Sequence, residues 1–137
     1  MTTYALHRYP ITIRESHLDT FGHVNNATYL ELFEEARWEL ITSKGYGMET
    51  IRSTGLGPVI LDITIKFRKE LRLRAEVIIE TQTTAYGSKI GKLRQQMVSS
   101  DGTVFCEADF TVGLFDLTSR KLVPPTPEWL TAVGLEK

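Results

Sequence analysis

The 137-residue sequence predicts an α+β protein in which a five-stranded antiparallel sheet curves around one long helix. Two observations lead to this prediction. The hydrophobic period changes from two residues to about 3.6 and back to two, which indicates a strand, a helix and then further strands. The strands alternate apolar and polar residues, which is typical of an antiparallel sheet with one face on a core. The helix is the only predicted element able to cover that face.

The predicted elements follow one another with turn residues between them. The first strand covers residues 4–14, and the helix runs from about Ala27 to Lys44 with its apolar residues on one face. Four strands follow, at residues 61–67, 71–79, 90–98 and 104–114. A short terminal segment at 128–130 is expected to cap the domain. Trp38 lies opposite the main apolar stripe of the helix, and the sheet edges are uncovered, so we expect self-association.

Composition limits the class of protein. The chain is 42% hydrophobic and 24% charged, which excludes a disordered or low-complexity chain. A net charge of -1 gives no general attraction for nucleic acid. The single cysteine, Cys106, excludes an internal disulfide, and no apolar run is long enough to span a membrane. We expect one soluble, cytoplasmic domain over residues 1–137.

The segment between the first strand and the helix holds the residues best suited to catalysis. Asp19 lies between His17 and His23, and Asn25 and Asn26 lead into the helix. A carboxylate can serve as a base or a nucleophile, and the unpaired N–H groups of a helix N-terminus can hold a developing oxyanion. Hydrolysis by acyl transfer needs both. The alternative is that Asp19 is a turn or cap residue and that the histidines are exposed loop residues.

Other sites are less favoured by the sequence. The spacing of His17, Asp19 and His23 lacks the helical geometry of a common metal site, so no metal is expected. The absence of a Gly-x-Ser-x-Gly motif disfavours a serine hydrolase. The basic run over residues 66–74 could neutralise the phosphates of a ligand, and the turn at residues 88–89 is a second candidate. A charged sheet edge that resists aggregation is the competing interpretation of the basic run.

Residues 17–38 resemble the signature of a known enzyme family. The motif Asp-x-x-Gly-His-Val-Asn-Asn-x-x-Tyr runs from Asp19 to Tyr29. It is similar to that of the hotdog-fold acyl-CoA thioesterases of the 4-hydroxybenzoyl-CoA thioesterase family, and most of all to the bacterial long-chain acyl-CoA thioesterases. The resemblance implies a hotdog fold and hydrolysis of acyl-CoA to a free acid and coenzyme A, with no cofactor or metal. It also implies a homodimer, often within a homotetramer, with the active sites at the subunit interface.

The resemblance also implies roles for single residues. Asp19 stands where the family has its catalytic carboxylate, the backbone N–H near Asn26 matches the donor to the thioester carbonyl, and His23 orients Asp19 or lines the pocket. Further substrate contacts are expected at Asn25, Tyr29, Phe33, Leu61, Arg68, Lys69, Ser88 and Lys89. Two other functions stay open: a non-catalytic module that binds acyl-CoA or an acyl carrier, and a hotdog hydratase or dehydratase in which His17 or His23 is the partner of Asp19.

Overall fold

The computed structural model describes residues 2–136. Within this range the strands are β1 (His7–Thr12), β2 (Leu56–Phe67), β3 (Glu76–Tyr86), β4 (Gly91–Val98), β5 (Val104–Asp116) and β6 (Lys121–Val123). The helices are α1 (Asn26–Ser43), α2 (Met48–Thr54) and α3 (Pro127–Ala132), with a 3-10 turn at Glu15–His17.

All strands belong to one antiparallel sheet, in the order β1-β3-β4-β5-β2. β6 pairs with the last residues of β5. β1 and β2 are therefore the two edges of the sheet. β2 contains a bulge, because its register against β5 shifts between Ile60 and Asp62.

Two predicted details of the sheet are wrong. The sequence predicts five strands, whereas residues 2–136 contain six, because Lys121–Val123 pairs with β5. The sequence also predicts a strand from residue 71, whereas β3 begins at Glu76. The chain turns just before β3, where Arg74 has a φ of +64°. Leu71 is fully buried in the core, so it anchors a loop instead of extending a strand.

α1 is one of three helices in the described part of the chain, whereas the sequence predicts a single long one. α1 has 18 residues, and α2 and α3 have seven and six. α3 is the expected terminal cap, and its Trp129 packs edge-on against Tyr46 at 5.2 Å between ring centroids. None of the helices within residues 2–136 has the length and apolarity needed to cross a membrane.

α1 packs its apolar side on one face of the sheet. Phe33 is fully buried and meets Phe110 of β5 edge-on at 6.2 Å. The core around them consists mainly of residues on one face of α1 and of alternate residues of the three central strands, among them Leu32, Ala36, Val77, Ile79, Leu93, Met97 and Ala108. Burial of each of the larger side chains favours folding by about 1.5–3 kcal/mol. Together these contacts hold α1 against the sheet.

A buried polar network also ties α1 to the sheet. The side-chain amide of Gln95 on β4 donates to the carbonyl of Phe33 at 3.0 Å and to the hydroxyl of Thr81 at 2.9 Å. Its oxygen accepts from the Arg37 guanidinium at 2.8 Å. Because a buried amide is costly when unpaired, these bonds fix the height of α1 above the sheet.

Candidate active site

Asp19 lies in a tight loop that folds back on itself just before α1. The N–H of Asp19 donates to the carbonyl of His23 at 2.8 Å, and the N–H of Asn25 donates to the carbonyl of His17 at 3.3 Å. Gly22 has a φ of +82°, which residues with a side chain rarely adopt. These bonds fix Asp19 relative to the residues that lead into the helix.

The two oxygens of the Asp19 carboxylate have different surroundings. Oδ1 accepts from the N–H of Phe21 at 2.9 Å and from the N–H of His23 at 3.2 Å. Oδ2 has no hydrogen-bond partner within residues 2–136. Asp19 is therefore a turn residue through one oxygen, as the simpler interpretation of the sequence expects, while its other oxygen is available for chemistry.

The first turn of α1 offers a free hydrogen-bond donor. Asn25 is the N-cap, and its side-chain oxygen accepts from the N–H of Ala27 at 2.9 Å. The Asn25 carbonyl accepts from the N–H of Thr28 at 2.9 Å. The N–H of Asn26, however, has no acceptor in the part of the chain that the structure describes. This donor lies at the positive end of the helix dipole, where an oxyanion is stabilised.

A cavity of about 300 Å³ opens beside the start of α1, and we call it the α1 cavity. Its lining residues are His23, Val24, Asn26, Tyr29, Phe67, Arg68, Lys69 and Glu70. The structure thus brings together five of the predicted site residues, from the motif and from the basic run. Asp19 is not among the lining residues. It is linked to the cavity through His23 by two hydrogen bonds, from its own N–H to the His23 carbonyl and from the His23 N–H to its side-chain Oδ1.

Tyr29 and Phe67 form the apolar wall of the α1 cavity. Their rings meet edge-on at 5.1 Å between centroids. Burial raises the pKa of the Tyr29 hydroxyl, so this side chain is neutral at ordinary pH. Phe67 was missed by sequence analysis, although it is the last apolar residue of the alternating pattern that defines β2.

The cations of the basic run are mostly engaged in ion pairs. Arg68 contacts Glu107 at 2.6 Å, a hydrogen bond that holds the pKa of Glu107 below its usual value. Arg74 contacts Glu15 at 2.8 Å. Lys69 has no carboxylate within 4.0 Å in residues 2–136. Lys69 is therefore the cation of the α1 cavity that is free to meet a phosphate.

The two histidines of the Asp19 loop have separate partners. The Nδ1 atom of His17 accepts from the N–H of Arg14 at 2.9 Å, which caps the 3-10 turn. The Nε2 atom of His23 lies 3.4 Å from a carboxylate oxygen of Glu70. Sequence analysis missed Glu70, although it is the single carboxylate within the basic run. Among residues 2–136, no group of three or more His, Cys, Asp or Glu side chains could hold a metal ion.

The other predicted contacts lie away from the α1 cavity. Phe33 is a core residue. Leu61 is at the bulge of β2, and its Cδ1 atom lies 3.7 Å from the position that a Cβ on Gly113 would take, on the face of the sheet that points away from α1. Neither side chain lines the α1 cavity.

Ser88 and Lys89 lie in the turn that joins β3 to β4. The first residue of β4 pairs with Val112 of β5, whereas Phe67 pairs with Cys106. Six residues of strand separate these two positions, which is about 20 Å. Within one copy of the chain, this turn and the α1 cavity are therefore at opposite ends of the sheet.

Both the sequence and the fold match known thioesterases. The model of the thioesterase-like superfamily matches residues 13–133. The long-chain acyl-CoA thioesterase FadM of Escherichia coli K12 is 32% identical over 112 residues, which cover 81% of this chain and 84% of FadM. The chain belongs to the thioesterase-like superfamily.

Solved structures show the same fold at low identity. The 1,4-dihydroxy-2-naphthoyl-CoA thioesterase Slr0204 from Synechocystis superposes with a TM-score of 0.84 at 17% identity, covering 94% of this chain and 96% of that one. The protein SAV2348 from Staphylococcus aureus, solved in complex with CoA, gives a TM-score of 0.87 at 16% identity, with coverages of 96% and 83%. The likeness establishes the hotdog architecture, an antiparallel sheet with helices, for this chain.

Proposed function

We propose that the protein hydrolyses acyl-CoA thioesters to a free acid and coenzyme A, with Asp19 and the start of α1 as the catalytic groups. Membership of the thioesterase-like superfamily supports the reaction. The observation that carries the assignment of residues is the free Oδ2 of Asp19 in a loop that leads directly to the free N–H of Asn26. Together they supply a base or nucleophile and an oxyanion donor.

The N–H of Asn26 accounts for activation of the substrate. In the proposed mechanism it donates to the carbonyl oxygen of the thioester, and the negative charge that develops there meets the positive end of the α1 dipole. The donor is fixed before substrate binds because Asn25 caps the helix. No rearrangement is needed at the moment of reaction.

Asp19 then attacks the carbonyl carbon directly or through water. In one route Oδ2 removes a proton from a water molecule that adds to the carbonyl carbon. In the other, Oδ2 itself adds and forms a mixed anhydride, which water hydrolyses in a second step. In both routes the carbon–sulfur bond breaks. In the first route the proton held by Oδ2 passes to the departing sulfur, and in the second coenzyme A leaves as the thiolate and takes its proton from solvent. The two bonds to Oδ1 keep the carboxylate oriented.

We assign the phosphates of coenzyme A to Lys69, because Arg68 is already paired with Glu107. His23, Tyr29 and Asn26 line the same cavity as this cation. Ser88 and Lys89 lie at the other end of the sheet, so we assign their contact with the substrate to a second copy of the chain.

We also propose a homodimer, which can pair further into a tetramer. β2 is an edge strand of 12 residues with exposed apolar side chains, and such an edge is a template for pairing with another copy. A dimer gives the turn at residues 88–89 a role at the site. The single domain over residues 1–137 and the cytoplasmic location stay predictions.

The two alternative functions are less well supported. A hydratase or dehydratase needs an acid–base partner for Asp19, but His17 is bonded to Arg14 and His23 lies against Glu70. A pure binding module needs no free carboxylate oxygen. Oδ2 of Asp19 therefore favours hydrolysis over both.

The functions are distinguished by their products. We would incubate the protein with acyl-CoAs from four to sixteen carbons, with one aromatic acyl-CoA and with an enoyl-CoA, and measure free thiol and water addition separately. Hydrolysis predicts thiol release that saturates with substrate. Hydration of the enoyl-CoA without thiol release, or tight binding without any turnover, would contradict the proposal.

A further inference from the structure

A second cavity, of about 100 Å³, lies between α1 and the sheet, and we call it the inner cavity. Most of its lining is apolar, with the side chains of Trp38, Leu40, Ile41, Pro58, Ile60, Leu93, Val112, Trp129 and Val133. Three polar residues complete the lining, and they are Glu34, Arg37 and Thr83. The Thr83 hydroxyl already donates to the carbonyl of Val133 at 2.8 Å. The two charged residues therefore decide which polar group a ligand of this cavity carries.

Arg37 is a half-buried cation in the wall of the inner cavity. Its guanidinium carbon lies 4.5 Å from the centroid of the Phe110 ring, and Nη1 donates to the side-chain oxygen of Gln95 at 2.8 Å. No carboxylate oxygen of residues 2–136 lies within 4.0 Å of its nitrogens, and Nε and Nη2 have no acceptor in that range. Burial lowers the pKa of Arg37 to about 10, so the group is still charged at neutral pH.

The Arg37 guanidinium is well suited to bind a carboxylate. A cation removed from water is costly unless an anion or hydrogen-bond acceptors replace the water. Phe110 and Gln95 fix the group in position, while the N–H groups of Nε and Nη2 are available to a ligand. Arginine typically binds the two oxygens of a carboxylate with two parallel hydrogen bonds. The guanidinium thus supplies both the charge and the geometry that a carboxylate needs.

Glu34 is the opposing charge in the lining of the inner cavity. Its side chain is exposed, and its oxygens lie more than 4.0 Å from the Arg37 nitrogens, so the two residues form no ion pair. Glu34 raises the pKa of Arg37, but by less than burial lowers it. Because an exposed charge is screened by water and salt, Glu34 repels an anion bound to Arg37 only weakly.

The size of the inner cavity limits the apolar part of a ligand. An apolar protein cavity of about 150 Å³ holds benzene, so a cavity of about 100 Å³ holds a body of about four to six carbons. Arg37 lies about 16 Å further along α1 than Asn26, at roughly 1.5 Å per residue. The inner cavity and the α1 cavity also share no lining residue. They are therefore separate sites.

We propose that the inner cavity binds a small carboxylic acid in its ionised form, with the carboxylate paired to Arg37 and the apolar body against Trp38 and Trp129. This site goes beyond the proposed function, because it contains none of the groups assigned to hydrolysis. A free acid is also what the proposed hydrolysis releases, so a short product acid belongs to the same class of ligand.

Tryptophan fluorescence reports directly on the inner cavity, because both tryptophans of the chain line it. Hexanoate is the probe, and hexanamide is its matched control, since it has the same carbon chain and no charge. Each is titrated at pH 7 and constant ionic strength into wild type, Arg37→Gln and Glu34→Gln. A glutamine at position 37 keeps a donor for Gln95, and Tm shows whether each variant is folded.

Hexanoate is expected to give a saturable change in fluorescence and to bind wild type at least about tenfold more tightly than hexanamide. Arg37→Gln should weaken hexanoate binding by at least about tenfold and change hexanamide binding by less than about threefold. Glu34→Gln removes a charge of the same sign as the ligand. It should therefore leave the affinity for hexanoate unchanged or tighten it by up to about threefold.

Three results would overturn the proposal. In the first, hexanoate gives no saturable change with wild type at millimolar concentrations. In the second, hexanoate and hexanamide bind wild type equally, which would mean that the cavity selects apolar bodies and not carboxylates. In the third, a folded Arg37→Gln variant binds hexanoate as tightly as wild type.

The comparison of the two ligands needs wild type alone, so it tests the proposal even if Arg37→Gln does not fold. Its outcome is also independent of the proposed reaction. The absence of thiol release from any acyl-CoA, together with tight binding of hexanoate, would refute the proposed function and leave this site in place.

Discussion

Asp19 and Asp101 occupy similar turns in very different surroundings. Oδ1 of Asp19 accepts from the N–H two residues later at 2.9 Å, and Oδ1 of Asp101 does the same at 3.0 Å. Each turn contains a glycine with positive φ, +82° at Gly22 and +87° at Gly102. The Asp101 turn joins β4 to β5, whereas the Asp19 turn leads into α1.

The difference between the two turns locates the chemistry. The hydroxyl of Ser99 and the N–H of Thr103 bind the Asp101 carboxylate and lower its pKa to about 2. That carboxylate has a structural role only. Asp19 makes the same kind of turn, but its loop leads into the free N–H at the start of α1 and is hydrogen-bonded to His23, which lines the α1 cavity. A turn-forming aspartate therefore becomes a candidate catalyst through its neighbours and not through its own local conformation.

Among changes outside the two aspartates, removal of the oxyanion donor is expected to have the largest effect. Asn26→Pro deletes the N–H, and proline is well tolerated at the first position of a helix. Asn25 already has a φ of -64° and a ψ of 144°, which suits the residue before a proline. We expect kcat to fall by about 10²–10³-fold in the thiol-release assay, with α1 intact by circular dichroism.

Met48→Pro is the control for this prediction. Met48 is the first residue of α2, and Pro127 already holds that position in α3. The control should leave kcat unchanged. If the kcat of Asn26→Pro is within about twofold of the control, the N–H of Asn26 is not the oxyanion donor.

Alanine substitutions at Gly22 and Gly102 separate an effect on the position of the Asp19 carboxylate from an effect on the stability of the fold. An added Cβ would meet nothing within 4 Å at either Gly22 or Gly102, so Gly22→Ala and Gly102→Ala introduce backbone strain alone. Each is expected to lower the free energy of unfolding by about 1–2 kcal/mol, measured by urea denaturation. Only Gly22→Ala should also lower kcat, by several-fold, because it moves the Asp19 carboxylate. Equal kcat values in the two variants would show that the position of this loop does not limit catalysis.

The smallest effect is the pH dependence of stability at Asp101. Its pKa is about 2 in the folded protein against an ordinary value of 3.8. The ionised form therefore stabilises the fold above pH 4, and this contribution is lost as the pH falls towards 2. Asp101→Asn should lower Tm slightly at pH 7 and have no effect near pH 2. A deficit in Tm that persists unchanged at pH 2 would mean that the charge is not its source.

The part of the fold that local pattern encodes is predictable from the sequence. The predicted helix, from Ala27 to Lys44, differs from α1 by one residue at each end, because a strong apolar stripe is bounded by an N-cap asparagine and by glycine. The alternation over residues 71–79 predicts a strand that begins five residues before β3. A buried loop residue such as Leu71 gives the same apolar signal as a strand residue. β6 was missed, since three residues are too few to show a period.

The candidate site was predictable only where its residues are close in sequence. Asp19, His23 and Asn26 belong to one motif, and Lys69 follows from the basic run. The separation of Lys89 from this group depends on the order of strands in the sheet. The outward direction of Leu61 depends on a bulge that shifts the register of β2. Neither long-range feature has a local sequence signal.

The most direct test of the account compares the two aspartates themselves. Asp19→Asn and Asp101→Asn both keep the shape of the side chain and remove its charge, and kcat for one acyl-CoA is measured for each by thiol release. The account predicts that Asp19→Asn loses about 10²–10⁴-fold in kcat with its fold intact, while Asp101→Asn stays at the wild-type value. Near wild-type turnover by Asp19→Asn would contradict the account and leave Asp19 as a turn residue.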